Sequence, residues 1–113
     1  MKRGDVVLVP FPNSNLKSVK LRPAIIVQKD NLSSGLNQVI IAMIISSNLS
    51  RANHPSRILI EIKTLEGKQS GLLTDSVIMT DNLATVLETN ILRVIGNIRM
   101  TEVDLALRHT LGL

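Results

Sequence analysis

Six short runs rich in valine, isoleucine and leucine, each closed by a turn signal, divide this chain almost from end to end. That pattern constrains the fold more than any other feature. Short strands at regular spacing, with no helical period between them, build a small barrel or a strongly bent antiparallel sheet. The runs are Gly4–Phe11, Pro23–Gln28, Gln38–Ile45, Arg57–Ile62, Leu72–Met79 and Ile91–Ile98. The third is apolar enough to be buried on both faces. In the fourth, Ile58, Ile60 and Ile62 alternate with Leu59 and Glu61, the period of a half-buried strand.

The connections read as loops and turns. Asn13–Lys20 is a long polar loop, Asn31–Asn37 a turn around Ser33-Ser34-Gly35, Ser46–Pro55 another polar loop, and Glu66-Gly67-Lys68-Gln69 a turn. The last segment changes period. Val103, Ala106, Leu107, Thr110 and Leu111 share one helical face, with Gly112 as a C-terminal stop. Thr101 and Asp104 have the spacing of a capping box, which makes Thr101 the expected N-cap. The fold class expected is therefore mainly β with a C-terminal helix. With 113 residues and no repeat, linker or low-complexity segment, residues 1–113 read as a single domain.

Composition then narrows the function classes. There is no cysteine, which excludes disulfides, thiolate metal sites and a thiol nucleophile. No apolar run approaches the ~20 residues of a membrane-spanning helix, and no signal peptide is read at the N-terminus, so a cytoplasmic protein without a membrane partner is expected. A net charge of +4 favours a polyanionic partner. Phe11 is the only aromatic residue, so no platform for stacking several bases exists. Nucleic acid would have to be read by polar groups, backbone and arginine planes.

The chemistry-bearing residues are few. In Arg22-Pro23 the proline restricts the arginine to an extended backbone at the mouth of a loop. A guanidinium held there suits a phosphate or a developing negative charge, although the same dipeptide serves as ordinary surface. Ser46-Ser47-Asn48 follows the third strand directly, where a hydroxyl is well supported, and is equally a common way to begin a turn. His54 lies in a polar loop and His109 on the terminal helix, with nothing to suggest that they meet. Asp75 and Asp81 have no metal-ligand spacing, and no phosphate-cradling glycine loop is present. Arg3-Gly4-Asp5 is read as a turn into the first strand.

Taken in order, these pieces resemble the MazF/PemK toxins. The resemblance lies in Arg3–Pro12 and Leu21–Val27, in Ile45-Ser46-Ser47-Asn48, in Gly71–Ile78 with Asp81-Asn82 and Thr85-Val86, and in Ile95–Ile98 with Val103, Ala106-Leu107 and Leu111-Gly112-Leu113. It covers essentially the whole chain. It implies an SH3-like barrel of the MazF/PemK/CcdB toxin type, working as a homodimer. It also implies a sequence-specific endoribonuclease that cuts single-stranded RNA without metal or other cofactor and is neutralised by a cognate antitoxin. By the same resemblance Arg22 matches the catalytic arginine and Ser46 the catalytic hydroxyl, with Ser47 as the alternative one residue on. Asn13, Lys17, Lys20, Asn48, Asp81 and Asn82 are the expected RNA contacts. The chain departs from the pattern at Ala84, where many members carry arginine, at Met79, where some do, and in the loop before Arg22; these changes bear on cleavage specificity and, less, on catalytic rate. Two other readings share the fold. One is a CcdB-like gyrase-binding toxin, whose ending carries a tryptophan that this chain lacks; the other is a catalytically inactive module that binds RNA or antitoxin.

Overall fold

The computed structural model describes residues 1–12 and 19–113. The expected loop contacts Asn13 and Lys17 lie outside the described residues. Six antiparallel strands form one sheet in the order β4-β5-β3-β2-β1-β6. They are β1 (Asp5–Pro12), β2 (Val19–Ile26), β3 (Gln38–Ile45), β4 (Arg57–Ile60), β5 (Ser76–Leu87) and β6 (Arg93–Asn97). The sheet curls into a half-barrel, with helix α1 (Leu65–Ser70) between β4 and β5 and helix α2 (Thr101–Leu111) at the end. This is the small-barrel architecture with a C-terminal helix that the strand pattern implies.

Strand alternation sends apolar side chains to both faces of the central strands. Val6, Ile25, Ala42 and Ile44 join Ile58, Ile60 and Ile78 in a core that Val103, Ala106 and Leu107 of α2 cover. Val7, Val9, Ala24, Ile26, Ile41 and Met43 form a second core on the other face, joined by Ala84, Val86 and Ile91. The two cores account for the near-continuous apolar character of β3. Among the described residues no helix is long and apolar enough to cross a membrane.

Several local expectations need correction. Strand β2 begins at Val19, so Pro23 sits inside it, paired with Leu8, rather than at its start. The ladder to β3 reaches only from Ile26 to Ala24, so β2 is an edge at Pro23 and tolerates its missing N–H. Strand β5 continues past Met79 to Leu87. Its register with β3 jumps from Met43↔Met79 to Ala42↔Leu83, so Thr80, Asp81 and Asn82 bulge out and interrupt the alternation that marks a strand in sequence. Residues 65–70 form a helix, not a turn; Thr64 caps it by accepting the Gly67 N–H at 3.0 Å. Strand β4 ends at Ile60, which leaves Ile62 exposed. The capping box of α2 does not form. Met100 is the N-cap, with no side-chain cap, and Asp104 instead pairs with Arg3 at 2.7 Å.

Candidate functional site

Three strands place the chemistry side by side. Pro23 on β2 is in register with Leu8 on β1, and Leu8 with Arg93 on β6. Ser46 is the first residue beyond β3. Together with Pro23, Leu8 and Arg93 it lines one cavity of about 300 Å³. The opposite wall comes from the segment after α1, with Leu72, Leu73 and Thr74. That wall is locked in place by two glycines. A Cβ at Gly71, whose φ is +74°, would collide with the Ile95 carbonyl, and one at Gly96 with the backbone of Gln69 and Ser70. The end of α1 therefore lies directly against β6, backbone on backbone.

Arg22 sits one residue from this lining, opposite Val9 in the β1–β2 ladder. Alternation along β2 sends Leu21 and Pro23 toward the cavity, and Arg22 to the face of Ala24 and Ile26. Arg22 is half-buried there. By the same alternation Ser46 continues the Ala42 and Ile44 side of β3, where it meets the cavity. The expected site residues thus divide between the two faces of the sheet at the end of β1, β2 and β3. Ser46 and Arg93 line the cavity on one face, and Arg22 belongs to the other.

The remaining expected contacts are dispersed. Lys20 is exposed on β2, opposite Phe11. Asn48 takes a left-handed backbone (φ 53°) before the 3-10 turn Leu49–Ala52, and its Oδ1 accepts the Ser50 hydroxyl at 2.7 Å. Asp81 and Asn82 lie in the β5 bulge, toward the end of the β4–β5 ribbon away from Ser46. The Asp81 carboxylate takes a 2.7 Å ion pair from Arg57. The hydrogen bond from Arg57, the largest cause, holds Asp81 below the ordinary carboxylate range. Met79 is buried beside Met43, and Ala84 packs on the second core, so neither position is an open surface for an RNA-facing arginine.

Two features had no signal in the sequence. Arg93 carries no motif, and only the β1–β6 register brings it to the Ser46 cavity. His54 and His109 meet edge to face, with ring centroids 5.9 Å apart. The Ser56 N–H donates to His54 Nδ1 at 3.0 Å, which fixes His54 as the tautomer with its hydrogen on Nε2. Beside them Thr80 Oγ1 donates to the Ser56 carbonyl at 2.5 Å and lies 2.8 Å from Thr110 Oγ1, which donates to the Ser56 hydroxyl at 2.7 Å. Among the described residues no group of three or more His, Asp or Glu side chains is placed to hold a metal ion.

Comparison with known proteins identifies the architecture. The family described as PemK-like, MazF-like toxin of type II toxin–antitoxin system matches residues 2–111. Solved structures similar to the chain include an endoribonuclease in complex with its cognate antitoxin from a mycobacterial species. It is 16% identical with a TM-score of 0.74, over 100% of this chain and 96% of the other. The toxin MazF-mt6 of Mycobacterium tuberculosis is 18% identical with a TM-score of 0.72, over 96% of this chain and 97% of its own. A MazE–MazF structure from Deinococcus radiodurans is 14% identical with a TM-score of 0.71, over 100% of this chain and 97% of its own. No curated protein sequence matches the chain.

Proposed function

Because the chain belongs to the PemK-like, MazF-like toxins of type II toxin–antitoxin systems, we propose that it is a sequence-specific endoribonuclease that cuts single-stranded RNA without a metal ion. The observation that carries this reading is the family match across residues 2–111, which spans every element of the site. We further propose that it works in the cytoplasm as a homodimer, and that a cognate antitoxin silences it. A flexible acidic segment that orders on binding suits the net charge of +4.

Metal-free cleavage uses the neighbouring 2′-hydroxyl as nucleophile. Its oxygen gives up its proton and attacks phosphorus in line, the bond to the 5′-oxygen breaks as that oxygen takes up a proton, and the products are a 2′,3′-cyclic phosphate and a 5′-hydroxyl. The protein must align the phosphate and stabilise the charge that builds on its oxygens. Arg22 suits the second task. A guanidinium stays protonated at any working pH, so it acts as a fixed cation and two-pronged donor rather than as a base. The Ser46 hydroxyl donates to a non-bridging oxygen, with Ser47 as the alternative donor one residue on. The structural neighbour solved with its cognate antitoxin supports the regulatory half of the reading.

The test is incubation of the purified protein with a long single-stranded RNA in excess EDTA, beside the Arg22→Ala variant. Discrete fragments ending in cyclic phosphate are expected. The variant should cut more slowly by about 10²-fold or more, the scale of losing one charge-stabilising donor. Intact RNA from a folded protein would instead favour a gyrase-binding toxin or an inactive binding module.

A further inference from the structure

We infer that the cavity beside Ser46 is a pocket for one unpaired nucleobase of the substrate, with Arg93 as the residue that selects guanine. The inference rests on the ribonuclease reading above and adds to it a specificity-determining residue.

Size, lining and position support it together. A volume of about 300 Å³ is at the low end for ligand pockets, which fits a single base better than a longer stretch of RNA. Its walls are apolar on two sides, with Leu8, Pro23 and Ile95 from the sheet and Leu72 and Leu73 opposite. A base presents apolar faces and a polar edge, so such a slot buries the faces and leaves the edge to be read. This matters in a chain whose only aromatic residue is Phe11, because stacking on aromatic rings is not available as the general means of holding bases. The polar residues that line the slot are Ser46, Thr74, Ser76 and Arg93, whose guanidinium can read the edge of a base. A guanidinium pairs best with an edge that offers two acceptors in one plane, which guanine presents at O6 and N7.

The pocket is also rigid where it needs to be. The close packing of Gly71 on Ile95 and of Gly96 on Ser70 fixes the distance between its two walls. Arg93 is held in the β1–β6 ladder opposite Leu8, so its origin does not depend on a loop. Because Ser46 belongs both to this lining and to the proposed cleavage site, a base seated here would fix which phosphate meets the hydroxyl. Specificity and positioning then come from one contact.

The test separates binding from cutting. Short 2′-O-methyl oligoribonucleotides lack the nucleophile and are not cleaved, so their affinities are measured by fluorescence anisotropy at fixed salt. An all-uridine strand is compared with the same strand carrying one central guanosine. The wild type is expected to bind the guanosine strand about tenfold more tightly, the scale of one good two-pronged base contact. Arg93→Ala is expected to bring the two affinities within about twofold. Leu72→Trp, which fills the slot from the other wall, is expected to do the same while leaving Arg93 in place. Thermal melting of both variants establishes that they fold. No preference in the wild type, or a preference that survives in both folded variants, overturns the pocket. A wild type that shows the preference yet leaves natural RNA intact keeps the pocket and defeats the ribonuclease reading.

Discussion

The serine pair after β3 shows how far one residue of register matters. Ser46 lines the cavity beside Pro23, while Ser47, in the bend that follows, is not part of that lining. If Ser46 supplies the hydroxyl, Ser46→Ala lowers kcat by about 10²-fold and Ser47→Ala changes it little. Single-turnover cleavage of one oligonucleotide by the two variants decides between them. A second prediction concerns Asp81. Its pKa is depressed in the folded protein, chiefly by the hydrogen bond from Arg57. The pair therefore stabilises the fold above the ordinary aspartate value of about 3.9, and that contribution is lost as pH falls through the lowered value. Both side chains are partly exposed, so the effect is small. Asp81→Asn should lower the melting temperature slightly at neutral pH, and the gap to wild type should close on acidification. A gap that persists at the acid end would mean that the ion pair is not its cause.

At the scale of elements, α2 is tied down by more than its apolar face. Ser56 before β4, Thr80 in the β5 bulge and Thr110 on α2 share a chain of hydroxyl hydrogen bonds, and Ser56 and Thr80 are buried. Thr110→Val keeps the shape but leaves the Ser56 hydroxyl without that partner. The expected cost is about 1–3 kcal/mol, seen as a lower denaturation midpoint at unchanged m-value. The junction of α1 with β6 makes a different prediction. Gly96→Ala places a methyl group where the Gln69 and Ser70 backbone already lies. The wall Leu72–Thr74 must move, and the variant should lose base preference together with stability. Anisotropy and melting curves on the same sample check both.

On the scale of the whole molecule, charge is the property that reaches the partner. A chain of net +4 that binds a polyanion releases counterions, so its affinity for single-stranded RNA should fall by about tenfold between 50 and 200 mM salt if two to three phosphates are neutralised. A flat salt response would point away from backbone contacts and toward a protein target. The proposed homodimer predicts a sedimentation mass near twice the 12.4 kDa of the chain at micromolar concentration.

The amino-acid sequence by itself determined what depends on local period and order. The apolar runs set the β class and all six strands in outline, β3 to the residue, because each run needs only its own neighbours to prefer an extended, half-buried state. The 3.6-residue spacing of Val103, Ala106 and Leu107 set α2, and the ordered motifs set the family. What the sequence left undecided depends on partners distant in the chain. The bulge at Thr80–Asn82 breaks the alternation that would have extended β5, and Arg3 takes the Asp104 carboxylate that the capping box needed. His54 and His109 meet only because α2 packs against the β4–β5 ribbon. Arg93 joins the cavity that Ser46 lines only because β6 closes onto β1, a pairing of the last strand with the first that no local pattern encodes. Long-range registers place the candidate site, and a register is a property of two segments at once.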